Sequence, residues 1–143
     1  MGQWASGPGV VELPDGRRIR GFGVRHARPD IAAPEFAVYL LGSDPGPQPW
    51  EYRWVRWRDF RHPSSTAEAV AALREAHERA ADQRVEIACK GGIGRTGTAL
   101  SLLAVMAGVA PESAVDWIRA NYHRHAVETR GQRRWISNAS AML

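Results

Sequence analysis

The segment from Cys89 to Thr98 constrains the fold more than any other part of this 143-residue chain. It reads CKGGIGRTGT, so that the only cysteine of the chain is followed by three glycines and then by Arg95. A run rich in β-branched and apolar residues precedes it at 85–88, and an apolar run follows it at 99–106. The pattern predicts a buried strand, a tight loop and the start of a helix.

A loop of this kind carries the residue types that hold an oxyanion beside a nucleophile. Its glycines let backbone N–H groups turn inward, and a helix that begins near Arg95 adds the positive end of its dipole. A cysteine becomes largely thiolate at neutral pH beside such donors and cations, and an arginine can bond two phosphoryl oxygens at once. We therefore interpret Cys89 as a nucleophile and expect the Thr96 hydroxyl within reach of its sulfur. The residues expected around the phosphate are Lys90, Gly91, Gly92, Ile93, Gly94 and Arg95.

Strand and helix signals along the whole chain predict a single α/β domain over residues 1–143. We expect a central, mostly parallel, twisted sheet of about five strands, flanked by helices. Ser65 and Glu68 form a capping box that starts one helix, with Val70 and Leu73 on its buried face. The predicted strands lie at 10–13, 18–22, 36–41, 52–57 and 85–88, and the predicted helices at 65–81, 96–108, 111–122 and 130–141.

The order of these elements predicts where the functional groups meet. Strand 52–57, helix 65–81 and strand 85–88 form a βαβ crossover, whose strands are expected to be parallel and whose connection is expected to be right-handed. In open parallel sheets, ligands bind beyond the carboxyl ends of the strands. Asp59 follows the first of these strands and Cys89 follows the second. The topology thus predicts that both residues lie at one edge of the sheet.

The charge of the chain favours an anionic partner. Nineteen lysines and arginines against fifteen aspartates and glutamates give a net charge of +4, which attracts anions over long range. Phosphorylated substrates satisfy this preference. Nucleic acid is the competing partner, and we do not expect it, because the basic residues are dispersed and no helix-turn-helix, zinc-ligand or ribonucleoprotein signature accompanies them.

A single cysteine excludes an internal disulfide and a multi-cysteine zinc site. The five histidines have no metal-ligand spacing, so we expect no metal. A thiol that must stay reactive implies a reducing compartment, and we expect the protein to be cytoplasmic. The longest apolar stretch, near 99–110, is too short and too interrupted to span a bilayer, so stable membrane insertion is not expected.

Three motifs resemble those of one family. The C-x5-R-T loop after a strand resembles the signature loop of the cysteine-dependent protein tyrosine phosphatase superfamily, including its dual-specificity branch. The segment 57–63, WRDFRHP, is similar to the W-P-D loop of that family, and we call it the acid loop. The segment 128–132, ETRGQ, is similar in spacing to the family's Q-T-x-x-Q loop. The resemblance covers mainly the second half of the chain.

The resemblance implies a compact phosphatase fold and a set of roles. Cys89 would attack the phosphorus, Arg95 would hold the phosphoryl oxygens, and Asp59 would be the general acid. Gln132 would position the hydrolytic water. The implied activity is hydrolysis of phosphotyrosine, and of phosphoserine or phosphothreonine, on proteins through a phosphocysteine intermediate, with no metal or organic cofactor.

Three departures from the family pattern keep alternatives open. Ala88 stands where the family usually has a histidine before the nucleophile, Arg58 replaces the proline of the acid loop, and Glu128 replaces the first glutamine of the third motif. A catalytically weak pseudophosphatase that only binds phosphate is therefore one alternative. A phosphoinositide phosphatase is another, because Lys90 adds positive charge at the pocket.

Two other kinds of cysteine enzyme are disfavoured by the residues themselves. Arsenate reductases can use a similar loop, but their usual cycle needs further cysteines, which this chain does not have. Sulfurtransferases of the rhodanese type generally have a shorter cysteine loop.

Overall fold

The computed structural model describes residues 3–26 and 32–143. Within these residues, the centre of the fold is a five-stranded sheet with the order β1-β2-β5-β3-β4. β1 pairs antiparallel with β2, and the other neighbouring strands are parallel. The predicted α/β fold with a mostly parallel sheet is thus confirmed. The strands are β1 (Val10–Glu12), β2 (Arg18–Gly23), β3 (Phe36–Leu41), β4 (Glu51–Arg56) and β5 (Val85–Cys89).

Four α-helices of the described residues accompany the sheet, and the first begins at the predicted capping box. The Ser65 side chain accepts a hydrogen bond from the Glu68 N–H, and the Thr129 side chain accepts one from the Gln132 N–H. A 3₁₀ turn, Pro111–Ser113, leads into the third helix. The helices are α1 (Thr66–Arg79), α2 (Gly94–Met106), α3 (Ala114–Asn121) and α4 (Arg130–Ser140).

The order of the strands refines the predicted crossover. β4 and β5 are parallel as expected, but β3 lies between them, so α1 connects two strands that do not pair. β3 is almost wholly buried, and β5 is buried along its whole length. Buried parallel strands have largely apolar sequences, and such a pattern does not indicate the order of the strands in the sheet.

One edge of the sheet collects the carboxyl ends of β2, β3, β4 and β5. Gly23 pairs with Cys89 at the ends of β2 and β5. The backbone N–H of Trp57, just beyond β4, donates to the Leu41 carbonyl at the end of β3, at 2.9 Å. The predicted nucleophile and the acid loop therefore start from the same edge. Among the described residues, no helix has the length and apolar character needed to cross a bilayer.

The packing of α1 against the sheet provides a test of the core. Leu73 on α1 is fully buried, whereas Leu143 at the chain end is 43% exposed. We expect Leu73→Ala to lower the free energy of unfolding by about 2 to 5 kcal/mol, because the cavity left behind cannot fully collapse. Leu143→Ala should change it by less than about 0.5 kcal/mol. Urea unfolding followed by circular dichroism measures both, and equal effects would contradict the assignment of Leu73 to the core.

Candidate active site

The loop between β5 and α2 turns its backbone toward the cysteine sulfur. Cys89, the last residue of β5, is buried, and the Gly92 N–H donates a hydrogen bond to its Sγ at 3.1 Å. Gly92 has a φ of 75°. A Cβ at this position would lie 2.6 Å from the backbone nitrogen of Gly23. Only glycine fits here, since both the backbone angle and the close approach of β2 exclude a side chain.

Arg95 joins this loop to the acid loop. It lies in the first turn of α2, is 4% exposed, and donates from Nη1 to the Trp57 carbonyl at 3.0 Å. Its Nε lies 3.6 Å from Oδ1 of Asp59. The structure thus brings together the predicted phosphate ligand and the predicted general acid, which are 36 positions apart in the sequence.

Two buried polar atoms of this region have no hydrogen-bond partner within the described part of the chain. They are Nε of Arg95 and Oγ1 of Thr96. Buried polar groups are normally satisfied, because leaving one unpaired costs free energy. Both residues were predicted to contact the phosphate or the sulfur, and an oxyanion bound in the loop is the kind of ligand that Arg95 is suited to hold.

The acid loop is anchored at Trp57 and exposed at the three residues that follow. Trp57 is fully buried, donates from Nε1 to the Arg61 carbonyl at 2.6 Å, and packs against Trp135 with ring centroids 5.2 Å apart. Asp59 is about half exposed, and its Oδ1 accepts from the Phe60 N–H at 3.0 Å. Phe60 has a φ of 62° and is 59% exposed. The acid loop is therefore fixed at Trp57, and its exposed tip carries the Asp59 carboxylate.

Gln132, the predicted water-positioning residue, ties a third segment to the acid loop. It is fully buried in the first turn of α4, and its Nε2 donates to the Arg61 carbonyl at 3.2 Å. Its Oε1 accepts from the Glu128 N–H at 2.8 Å. Both polar atoms of the Gln132 amide thus bond backbone groups. To position a water, Nε2 would have to give up its hydrogen bond to the Arg61 carbonyl and donate to that water instead.

Glu128 lies against the start of α2. A Cβ at Gly94, the first residue of that helix, would collide with Oε1 of Glu128. The residue before the helix, Ile93, provides no side-chain cap. A carboxylate at a helix N-terminus is stabilised by the helix dipole. The Glu128 carboxylate is therefore placed to stabilise the start of α2, next to the loop of residues 89–95, which we call the phosphate loop.

The sequence analysis did not find two residues that support the loops. Arg119 donates to the carbonyls of Ala126 and Val127, at 2.8 and 2.7 Å, and so holds Val127 at a φ of 65°. Tyr122 donates from its hydroxyl to the Gly92 carbonyl at 2.5 Å. Neither residue has a local sequence signal for these contacts, because the side chains of α3 and of the residue after it meet other segments only in the folded chain.

The hydroxyl of Tyr122 is held in its neutral, donating form. Burial raises the pKa of Tyr122, and the negative charges of Cys89 and Glu86 act in the same direction. Its ring also occupies the space beside Gly21, where a Cβ would collide with it. Tyr122 thus links β2, α3 and the phosphate loop through one side chain.

The cations of the described residues fall into two groups. Those of β2, β4 and α1 mostly pair with carboxylates, as in Arg18 with Glu12, Arg20 with Glu86 and Arg79 with Glu51. The cations of the second group belong to the segments around the candidate site. Their side chains form no hydrogen bond or ion pair in the described part of the chain. Positive charge without partners attracts anions to that edge of the sheet. The second group is Arg25, Arg56, Arg58, Arg61, Lys90, Arg124, Arg130, Arg133 and Arg134.

Comparisons with known proteins agree with this fold. A family model described as "Protein-tyrosine phosphatase" matches residues 24–139. Tk-PTP in its active form superimposes with a TM-score of 0.72 at 22% identity, covering 96% of this chain and all of its own. Kinase associated phosphatase (KAP), with its catalytic site cysteine replaced by serine, has a TM-score of 0.68 at 13% identity, covering 97% and 98%.

A third structure is more distant. PTPMT1 in complex with PI(5)P has a TM-score of 0.57 at 12% identity, over 76% of this chain and 77% of that one. At these identities the structural matches establish the fold. No curated protein sequence matches significantly.

The bond from Tyr122 to Gly92 predicts a stability difference. Tyr122→Phe leaves the Gly92 carbonyl without its donor, and we expect the free energy of unfolding to fall by about 1 to 3 kcal/mol. Tyr52→Phe is the matched control, because the Tyr52 hydroxyl donates to the exposed carboxylate of Asp44, which water can satisfy. Urea unfolding near neutral pH measures both variants. Equal losses would contradict a supporting role for Tyr122.

The raised pKa of Tyr122 also predicts a pH dependence. Above about pH 10 the unfolded chain releases the phenolic proton, whereas the folded chain keeps it. The folded state then binds more protons, so its stability falls as the pH rises. The stability advantage of the wild type over Tyr122→Phe should therefore shrink between about pH 10 and about pH 12. An advantage that is constant over this range would contradict the burial of the hydroxyl.

Proposed function

The chain belongs to the protein-tyrosine phosphatase family and is a phosphatase, and we propose that it hydrolyses phosphomonoesters on proteins through a phosphocysteine intermediate. The observation that carries this proposal is the position of Arg95. Arg95 lies in the first turn of α2, directly after the Cys89 loop, and its guanidinium bonds the Trp57 carbonyl and lies 3.6 Å from Asp59. The residues that we propose as nucleophile, phosphate ligand and general acid all start from the same edge of the sheet, which supports the proposal.

In the first proposed step, the Cys89 thiolate attacks the phosphorus in line with the leaving oxygen. The P–S bond forms as the P–O bond breaks, and Asp59 gives its proton to the departing phenol or alcohol. Arg95 and the N–H groups of the loop hold the charge on the equatorial oxygens. The products are the free hydroxyl compound and a phosphocysteine.

In the second proposed step, water attacks the phosphocysteine. Asp59, now a carboxylate, takes a proton from the water as the new P–O bond forms and the P–S bond breaks. The electron pair returns to the sulfur as a thiolate, which the Gly92 N–H and the Thr96 hydroxyl stabilise. Gln132 is the proposed water-positioning residue. The cycle releases inorganic phosphate and uses only groups that the chain itself carries.

We propose the substrate from the exposed residues and the charge at this edge of the sheet. Asp59 and Phe60 are exposed at the tip of the acid loop, and unpaired arginines surround them. Such a surface suits a phosphorylated side chain on an acidic protein segment, so we propose phosphotyrosine, with phosphoserine and phosphothreonine as further substrates. We propose one catalytic domain over residues 1–143 and a cytoplasmic location, where the free Cys89 thiol stays reduced.

A phosphoinositide is the second candidate substrate, and one observation favours it. Lys90 is exposed on the phosphate loop. Next to it, Arg25 lies beside Gly91, where a Cβ would be 3.0 Å from its Nη2. Neither cation has a side-chain partner in the described residues. Two further positive charges at the loop suit a ligand that carries more than one phosphate.

The role of Asp59 can be tested through the leaving group. We expect Asp59→Asn to reduce kcat by about 10² to 10⁴-fold on a phosphothreonyl peptide, because an alkoxide needs a proton to depart. The loss on nitrophenyl phosphate should be much smaller, since nitrophenolate departs readily without one. Asp82→Asn, an exposed aspartate in the turn between α1 and β5, is the control and should retain wild-type rates. Equal losses on both substrates would remove the acid assignment.

The role of Cys89 can be tested separately from phosphate binding. We expect Cys89→Ser to abolish turnover and to keep the binding of inorganic phosphate, because the loop N–H groups and Arg95 remain. Wild-type protein that binds phosphate but shows no burst of nitrophenol would instead identify a phosphate-binding pseudophosphatase. A parallel assay of phosphotyrosyl peptides, phosphothreonyl peptides and inositol lipids ranks the substrate classes.

A further inference from the structure

We propose that a second pocket, on the acid loop, binds an additional phosphoryl group. This pocket, which we call the arginine pocket, has a volume of about 240 Å³. It lies outside the candidate active site, since neither Cys89 nor Asp59 nor Arg95 lines it. Its lining residues are Arg56, Arg58, Arg61, His62, Pro63 and Ser64.

Backbone alternation separates the two sites. Trp57 is buried, and its carbonyl accepts from Arg95 on the active-site side. The residues on either side of it, Arg56 and Arg58, are exposed. Asp59 is directed back toward Arg95, at 3.6 Å. A short stretch of chain therefore presents a carboxylate to the catalytic loop and arginines to a different pocket.

The charges of the arginine pocket lack a counterion among the described residues. Its lining contains three guanidinium groups and one imidazole, and no carboxylate. The guanidinium groups of Arg56, Arg58 and Arg61 form no hydrogen bond or ion pair within the described ranges. By contrast, Arg53, only three residues earlier, pairs with both Glu51 and Glu75. An oxyanion in the pocket would relieve the repulsion among the arginines, and their planar forks match phosphoryl oxygens.

The pocket is coupled to the general acid through a single turn. The Arg61 N–H donates to the Arg58 carbonyl at 3.1 Å, so these arginines are the two ends of a turn with Asp59 and Phe60 at its tip. Phe60 adopts a left-handed φ of 62°, which is unfavourable for a residue with a bulky side chain. An anion bonded by Arg58 and Arg61 would hold the ends of this turn together and so stabilise the position of Asp59.

The phosphoryl group has two possible sources with the same chemistry. It is either a second phosphoryl group on the substrate or a free phosphate ion. The first source rests on the proposed function, because it requires that a phosphorylated substrate occupy the Cys89 loop. The second does not, since a free ion needs only the arginine pocket.

Binding is tested without turnover, by titrating inorganic phosphate into the Cys89→Ser protein and following backbone amides by NMR. We expect two groups of shifted amides, one in the 89–95 loop and one at residues 58–64. In Cys89→Ser combined with Arg56→Gln and Arg61→Gln, the second group should disappear and the first should remain. Both arginine substitutions keep the backbone carbonyls that the turn uses. Shifts confined to the 89–95 loop in the Cys89→Ser protein would overturn the proposal.

The source is tested with the active enzyme on peptides that carry one or two phosphotyrosines. If the substrate supplies the group, the doubly phosphorylated peptide should have a higher kcat/KM, and Arg56→Gln/Arg61→Gln should lower that advantage by about tenfold. The readout is the ratio of kcat/KM for the doubly and singly phosphorylated peptides, so that a general loss of activity in the variant cancels. If the advantage is absent while the amide shifts at 58–64 persist, free phosphate is the source.

The control separates a bound anion from a general charge effect. Arg130→Gln/Arg133→Gln removes two other unpaired arginines, at the start of α4, and changes the net charge equally. We expect this control to keep both the amide shifts at 58–64 and the peptide preference. If both arginine pairs weaken the shifts and the preference equally, the pocket has no specific role and the proposal fails. If the wild-type protein is inactive, the proposed function is wrong. The phosphate titration would still test the arginine pocket in that case.

Discussion

The buried guanidinium of Arg95 is the contact on which the arrangement of the candidate site depends. A charged group that is only 4% exposed needs partners, and Arg95 finds them in the Trp57 carbonyl and the Asp59 carboxylate. These partners belong to the acid loop, whereas Arg95 belongs to α2. The same side chain that is expected to bind phosphate therefore links the phosphate loop to the predicted general acid before any substrate arrives.

Local sequence signals predicted the parts of this site that depend on local structure. The glycines around Cys89, the cap at Ser65, and the alternation of strands and helices each have a cause within a few residues, and the structure has these elements where they were expected. The motif resemblance then assigned roles to Cys89, Arg95 and Asp59. Their roles in catalysis stay predictions, while their proximity is a feature of the structure.

Contacts between distant segments could not be predicted in the same way. The position of β3 between β4 and β5 depends on strand pairing, which the apolar run of β3 does not specify. The Tyr122 hydroxyl reaches Gly92 across 30 positions, and Glu128 reaches Gly94 across 34. From sequence alone, Glu128 was a departure from the family pattern, whereas in the structure it lies where a negative charge stabilises the start of α2.

The composition of the phosphate loop has a practical consequence. Eighteen of the nineteen basic side chains are arginines, so Lys90 is the only lysine of the chain. It is exposed on the loop that surrounds the candidate nucleophile. An amine-selective dye consequently has one lysine target in these 143 residues. A fluorophore attached there would report directly on what enters the loop, with no need to engineer a labelling site.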